Sequence, residues 1–181
     1  QIGLLTHHSA EQVEKMVNYW VDRFICAKDL LILYGGARED FAKLNLPVKA
    51  VFINDQRLRT RDHQRERQSY RGVYEAFLTA TAEDPVDVCL ITEFDQIPLV
   101  TDLEQRILQR LDEERADALL HGLRRVDGTS HPHVLAHEIR GELSKALAEF
   151  SVRQDGVILC AFGFGQVWKR RVLERVLEHP D

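Results

Sequence analysis

The sequence contains few cysteines and lacks the common glycine motifs of nucleotide-binding loops. Its three cysteines, Cys26, Cys89 and Cys160, lie far apart in apolar surroundings and form no C-x-x-C pair. We therefore expect them to be reduced core thiols, as in a cytosolic protein. Neither G-x-G-x-x-G nor G-x-x-x-x-G-K-S/T occurs, so the sequence indicates neither a Rossmann dinucleotide site nor a P-loop.

A long apolar run and a positive net charge are also absent from the sequence. No run approaches the roughly 18 residues of a membrane span, and the first residues do not form a signal peptide. We expect a cytoplasmic protein without a transmembrane segment. The formal net charge of -5 argues against a broad basic surface, and we expect no nucleic-acid partner.

The chain is long enough to bury a real core. Its 181 residues, 44% of them hydrophobic, suit one domain over residues 1–181 without a linker. Because the chain starts at Gln1 rather than at a methionine and stops after Asp181, we expect this domain to be part of a longer polypeptide.

Short apolar runs alternate with amphipathic helical patterns, which predicts an α/β fold. The predicted strands are residues 2–6, 29–34, 48–53, 88–91, 118–123 and 156–162. The predicted helices are residues 9–27, about 70–78, 101–116, 134–150 and 167–176. Capping-box pairs open two of them, Ser9 with Gln12 and Thr101 with Glu104. We expect the first four strands in one mixed, mostly parallel sheet with helices on both faces.

The predicted strand at residues 88–91 is the centre of the pattern. Its apolar residues do not alternate with polar ones, which is typical of a strand covered on both faces. Glu93 and Asp95 follow it, spaced so that both project to the same side of an extended chain. An open α/β sheet binds ligands beyond the carboxyl ends of its strands, and paired carboxylates suit a hard divalent cation. The alternative is that both are solvated loop acids.

A run of arginines precedes the central strand in this acidic chain. Its members are Arg57, Arg59, Arg61, Arg65, Arg67 and Arg71. Such a run is most often a solvated surface. The functional hypothesis is that one or two of the guanidiniums neutralise a diphosphate, because a planar bidentate donor suits that group.

Two later segments offer weaker signals. A turn-rich loop at residues 124–133 leads to His131, His133 and His137, which are either metal ligands or exposed histidines. Gly163-Phe164-Gly165 contains two glycines that allow a backbone to approach a ligand closely.

The stretch Leu90-Ile91-Thr92-Glu93-Phe94-Asp95-Gln96-Ile97-Pro98 resembles the D-x-D motif of nucleotide-sugar-dependent glycosyltransferases of the GT-A fold, in a family-2-like E-x-D form. An opening strand-loop-helix unit and an arginine-bearing helix before the central strand extend the resemblance over nearly the whole chain. The resemblance implies a single GT-A-like domain and a divalent cation, Mn2+ or Mg2+.

The resemblance also implies roles for individual residues. Asp95 would hold the metal that bridges the nucleotide diphosphate, with Glu93 near the ribose or the metal, and we add His133 as a further metal candidate. The residues expected to bind substrate are Thr6, His7, His8, Arg65, Glu93, Gly163 and Gly165. Asp127 and Glu138 are the candidates for a catalytic base.

The implied reaction transfers a glycosyl group from a nucleotide-sugar donor to a saccharide or other hydroxyl acceptor. A divalent cation would offset the charge of the leaving diphosphate. The chain departs from the family after its second strand, where Gly35-Gly36-Ala37-Arg38 replaces an acidic turn that reads the base, so base recognition stays open.

Two alternatives belong to other functional classes. One is a catalytically silent GT-A-like module that binds a saccharide or a protein. The other is a sugar nucleotidyltransferase, which usually carries a glycine-rich basic loop after its first strand, where this chain has Thr6-His7-His8-Ser9.

Overall fold

A computed structural model describes residues 1–55, 66–94, 96–98, 100–120 and 165–178 of the chain. The strands in these ranges are β1 (Ile2–Thr6), β2 (Leu30–Tyr34), β3 (Lys49–Phe52), β4 (Val88–Glu93), β5 (Ala118–Leu120) and β6 (Gln166–Lys169). The helices are α1 (Ala10–Arg23), α2 (Arg38–Phe41), α3 (Glu66–Ala80), α4 (Leu103–Glu113) and α5 (Arg170–Glu178), with one 3-10 turn at Ala27–Asp29. No described helix is both long enough and apolar enough to cross a membrane.

The six described strands form one sheet in the order β3-β2-β1-β4-β6-β5. β1 lies parallel to β2 and β4, β3 lies parallel to β2, and β6 lies antiparallel to β4 and β5. The predicted mixed, mostly parallel sheet is therefore confirmed. β4 has a paired strand on each side, as predicted for a central strand.

Alternate strand residues pack on the two faces of the sheet. One face, with Leu4 and Ile32, packs against α1 and α4. The opposite face, with Leu31 and Ile91, packs against α3 and α5. Covering both faces explains the unbroken apolar runs of β2 and β4, and it confirms the prediction of helices on both sides.

α1 begins and packs as its sequence predicts. The side-chain Oε1 of Gln12 accepts hydrogen bonds from the N–H of Ser9 at 3.3 Å and from its hydroxyl at 3.1 Å. Val13, Val17 and Trp20 are buried at helical spacing, and burying such side chains contributes about 1.5–3 kcal/mol each. The helix ends at Arg23 rather than at the predicted residue 27, and a separate 3-10 turn covers Ala27–Asp29.

Gly3 allows α3 to approach the middle of the sheet. A Cβ atom at this position would lie 2.8 Å from Cδ2 of Phe77 and 3.0 Å from Cδ1 of Leu33. Both neighbours are completely buried. The missing side chain therefore provides the space that the Phe77 ring occupies.

Three local predictions are wrong. β4 continues to Glu93 instead of ending at residue 91, because Thr92 and Glu93 pair in register with β1. Cys26 is exposed beside the 3-10 turn, whereas Cys89 is buried as expected. The cap of α4 is Asp102 rather than Thr101, and it accepts a 2.7 Å hydrogen bond from Nε of Arg106.

The largest error concerns β6. Residues 167–168 were predicted to be helical, but the strand covers Gln166–Lys169 and α5 begins only at Arg170. Val167 is buried on the α1 side, while Trp168 packs against the opposite cluster. Pairing with β4 and β5 imposes this alternation. The predicted strand at 156–162, the helix at 134–150 and the end of the strand at 118–123 lie outside the described residues.

Candidate functional site

The carboxyl ends of β1, β2 and β4 lie side by side at one edge of the sheet. Thr6 pairs with Tyr34, and Leu5 pairs with Glu93. β6 runs in the opposite direction and its first residue, Gln166, pairs with Ile91, so the start of β6 lies at the same edge. In an open α/β sheet this is where ligands bind.

The backbone of His8 is held at both of its polar groups. Its N–H donates to Oγ1 of Thr6 at 3.3 Å, and its carbonyl oxygen accepts a 2.8 Å hydrogen bond from the hydroxyl of Tyr34. Thr6 is 1% exposed and Tyr34 is 0% exposed. Two buried hydroxyls on neighbouring strands thus fix the turn that follows β1.

Three rings, which we call the ring stack, contact one another at this turn: the His7 and His8 planes differ by 20°, and the Phe94 plane is tilted by 32° from that of His8. The ring of His8 lies 4.3 Å from that of Phe94 and 4.8 Å from that of His7, between ring centroids. His8 is half-buried and His7 is exposed. The stack joins the end of β1 to the turn after β4, and it presents an aromatic surface of the kind that planar ligands contact.

The two glycines after β2 serve different purposes. The N–H of Gly35 donates to the carbonyl oxygen of Thr6 at 2.8 Å, which extends the strand pairing by one step. A Cβ atom on Gly36 would lie 2.5 Å from the hydroxyl of Tyr34. Gly36 therefore makes room for the tyrosine that holds His8. Both glycines lie in the segment after the predicted second strand, and neither Gly36 nor Tyr34 is among the predicted site residues.

Arg38 follows these glycines closely and is the first residue of α2. Its side chain is exposed, and its Cζ lies 4.7 Å from the centre of the Phe52 ring. Phe52 in turn packs against the rings of Tyr34 and Phe41. The end of β2 thus presents a cation supported on an aromatic cluster.

Glu93 is half-buried at the end of β4, where the chain turns sharply. The N–H of Phe94 donates to the carbonyl oxygen of Leu5 at 2.9 Å, and the N–H of Gln96 donates to that of Glu93 at 3.1 Å. The hydroxyl of Thr92 donates to Oε1 of Gln96 at 2.5 Å. These bonds fix the backbone at the end of β4. Among the described residues, no group of three or more His, Cys, Asp or Glu side chains is arranged to hold a metal.

Gly165 lies at the same edge, immediately before β6. It is buried and has a φ of 54°, a left-handed conformation that favours glycine. Beside it, the Tyr74 hydroxyl donates to Oε1 of Gln166, which also accepts from Nε1 of Trp168 at 3.2 Å. Burial raises the pKa of Tyr74 to about 12, so its hydroxyl stays a protonated donor at neutral pH.

Five of the predicted site residues lie at this edge of the sheet: Thr6, His7, His8, Glu93 and Gly165. The remaining predicted site residues lie outside the described residues: Arg65, Asp95, Asp127, His133, Glu138 and Gly163. The same holds for Arg57, Arg59, Arg61, His131 and His137.

Arg71 is the member of the arginine run whose side chain is described. Its Nε lies 3.0 Å from the carboxylate of Glu75, and its Nη2 donates to the carbonyl oxygen of Leu177 at 2.6 Å. Leu177 is in the last turn of α5, whose carbonyls lack partners within the helix. This guanidinium therefore joins α3 to the end of α5.

An apolar groove with a volume of about 350 Å³ adjoins the ring stack. It is lined by Gln12, Lys15, Met16, Tyr19, Phe94 and Ile97. Phe94 is shared between the groove and the stack, and Ile97 is one of the large hydrophobic side chains left exposed.

No protein-family model and no curated protein matches this chain significantly. Among solved structures, the chain is similar to the mannosyltransferase PcManGT from Pyrobaculum calidifontis in complex with GDP-Man and Mn2+. The TM-score is 0.51 at 14% identity, over 97% of this chain and 45% of that one. It is also similar to the bifunctional IspDF from Campylobacter jejuni, with a TM-score of 0.48 at 9% identity, over 99% of this chain and 43% of that one.

This chain spans less than half the length of each of these two proteins. At such identities the likeness concerns the fold. Together with the observed strand order, the similarity to the mannosyltransferase structure shows a GT-A-like α/β fold, as predicted from the sequence.

Proposed function

We propose that this chain is a glycosyltransferase domain that transfers a sugar from a nucleoside-diphosphate donor to a hydroxyl acceptor with the help of a divalent cation. The observation that carries the proposal is that Glu93, at the end of β4 and paired with Leu5, lies at the same edge of the sheet as the His7–His8 turn after β1. The mannosyltransferase with a similar fold was solved with GDP-Man and Mn2+, which supports a nucleotide-sugar ligand here.

In this proposal the nucleotide lies across the ends of β1 and β2. The exposed ring of His7, stacked on His8, offers a planar surface for the nucleoside. Thr6 is proposed to shape the nucleotide site by holding the backbone N–H of His8. Arg65 is proposed to contact the diphosphate, since a guanidinium binds phosphate oxygens in a bidentate manner.

The cation would be held by Glu93 and Asp95. Mg2+ and Mn2+ take oxygen ligands, and Mg2+ is often bound by one or two carboxylates together with substrate phosphates. Glu93 fits this chemistry because its half-buried carboxylate stands at the end of β4, on a turn held by three hydrogen bonds. His133 is a further proposed ligand. When bound, the cation would supply Lewis-acid stabilisation of the leaving diphosphate.

The chain's own residues would orient the donor and admit the acceptor. Gly163 and Gly165 are proposed to lie under the acceptor, where a backbone without side chains allows close approach. Asp127 or Glu138 would accept the proton of the acceptor hydroxyl if the reaction inverts the anomeric centre. Holding the donor and the acceptor together removes much of the entropic barrier to transfer.

Calorimetric titration with GDP, UDP and ADP, each with and without millimolar Mn2+, tests the binding step. Release of the nucleoside diphosphate from GDP-mannose and other sugar nucleotides then tests turnover. We expect Mn2+-dependent binding of at least one diphosphate and acceptor-dependent release from its sugar. A chain that binds saccharide but no nucleotide under these conditions would instead be a binding module.

A further inference from the structure

The turn after β1 is held by residues that lie far away in the sequence. Thr6 and Tyr34 are register partners on neighbouring strands, and both are the last residues of their strands. Their hydroxyls reach the same residue, one at the N–H and one at the carbonyl oxygen of His8. A valine at position 6 or a phenylalanine at position 34 would fill the space of the native side chain. Neither could make the hydrogen bond to His8 that the native hydroxyl makes.

The space for this arrangement is also specific. Tyr34 is completely buried and packs against the rings of Phe41 and Phe52, with centroids 5.7 and 6.5 Å away. Its hydroxyl can reach His8 because Gly36 has no Cβ, which would otherwise lie 2.5 Å from that oxygen. The surrounding core side chains hold the ring of Tyr34, and the absence of a Cβ atom on Gly36 leaves room for its hydroxyl. The hydroxyl therefore has one well-defined position.

We propose that Thr6 and Tyr34 are positioning residues, which fix the backbone of His8 and thereby set the His7–His8–Phe94 ring stack at the mouth of the nucleotide site. This inference rests on the proposed function for its ligand, but the ring positions themselves do not depend on it. With both hydroxyls in place, the imidazole of His7 is ordered before a ligand arrives. Such preorganisation strengthens binding by removing the cost of ordering the side chain on association.

Removing one hydroxyl at a time tests the proposal. Thr6→Val and Tyr34→Phe each delete one bond to His8 and keep the shape of the side chain. Thr81→Val is the matched control, since Thr81 is also a buried threonine, 4% exposed. Its hydroxyl donates to the carbonyl oxygen of Phe77 at 3.0 Å and accepts a 2.7 Å hydrogen bond from Nη1 of Arg170, at the opposite edge of the sheet. The control therefore also loses a bonded, buried hydroxyl, but one that does not contact His8.

The first measurement is the NMR imidazole signals of the two histidines, assigned with His7→Asn and His8→Asn. Ring stacking displaces these signals from their positions in an unfolded chain. We expect both signals to move toward the unfolded positions in Thr6→Val and Tyr34→Phe, and to stay in place in Thr81→Val. Identical signals in all four proteins, or an equal movement in the control, would overturn the proposal.

The second measurement is the affinity for the nucleoside diphosphate that binds the parent most tightly with Mn2+. We expect about tenfold weaker binding in Thr6→Val and Tyr34→Phe, and a change below about twofold in Thr81→Val. Equal affinity in all four proteins would show that the stack does not serve the ligand, which contradicts the proposal. If the parent binds no nucleotide, the proposed function fails, while the histidine signals still decide whether the two hydroxyls position the stack.

Discussion

Replacing Gly36 by alanine should break the link between the core and the turn after β1. The added Cβ would lie 2.5 Å from Oη, 2.6 Å from Cζ and 2.8 Å from Cε1 of Tyr34. These atoms belong to a rigid ring that is completely buried, so the ring cannot swing aside without disturbing its neighbours. The tyrosine must shift, and its 2.8 Å hydrogen bond to the carbonyl oxygen of His8 is lost.

The magnitude follows from three effects. An unpaired carbonyl and a methyl group forced into a packed region each lower the free energy of unfolding by about 1–3 kcal/mol. The smaller freedom of alanine in the unfolded chain offsets about 0.4–1 kcal/mol. Because the hydrogen bond is only partly buried, we expect a net loss of about 2–3 kcal/mol, or about 4–12 °C in Tm for a domain of this size.

Urea unfolding of the parent and Gly36→Ala measures this loss, and Gly72→Ala is the matched control. Gly72 lies in α3, and the nearest atom to its added Cβ would be Oδ2 of Asp55 at 3.7 Å, an ordinary contact. Alanine there should raise the free energy of unfolding by about 0.5–1 kcal/mol. In a Tyr34→Phe background, Gly36→Ala should be less damaging, because the same hydrogen bond cannot be lost twice. Unchanged stability of Gly36→Ala would refute the reasoning.

Three further predictions concern other parts of the chain. Gly3→Ala should lower the free energy of unfolding by about 1–3 kcal/mol in urea titrations, since its Cβ would lie 2.8 Å from the Phe77 ring. The hydrogen bond from Arg171 lowers the pKa of Asp117 in the folded protein, so this pair stabilises the fold at pH values above the pKa that the carboxyl group has in the unfolded chain. That stabilisation is lost as the pH falls through the folded pKa. In Asp117→Asn, the free energy of unfolding should therefore decrease less at acidic pH than in the parent. Arg65→Ala should weaken diphosphate binding about tenfold, as measured by calorimetry. A change below twofold would show that Arg65 does not contact the diphosphate.

The sequence predicted the parts of the fold that depend on local patterns. The unbroken apolar run at residues 88–91 predicted β4 as a strand covered on both faces, and the apolar spacing over residues 9–27 predicted an amphipathic α1, whose buried side carries Val13, Val17 and Trp20. The position of Glu93 at the edge of the sheet follows from the same reasoning, because residues after a buried parallel strand emerge at its carboxyl end.

Other features depend on contacts between distant residues. Residues 167–176 show helical spacing of apolar side chains, yet the first part is a strand because β4 and β5 offer partners for it. Tyr34 and His8 are 26 residues apart, and their hydrogen bond exists only because β1 and β2 pair in one register. Local patterns carry no information on that register, so Tyr34 was recognisable in sequence only as a core residue.

We propose that Glu93, at the end of β4, and Asp95, two residues later, hold a cation for a nucleoside diphosphate. Calorimetry of a nucleoside diphosphate with Mn2+ on the parent, Glu93→Gln and Asp95→Asn tests it most directly, because an amide keeps the shape of each side chain and removes its charge. We expect clear Mn2+-dependent binding by the parent, a loss of at least about tenfold in Asp95→Asn and a smaller loss in Glu93→Gln, with all three proteins folded. Equal affinity in all three proteins, with the parent clearly binding, would contradict it.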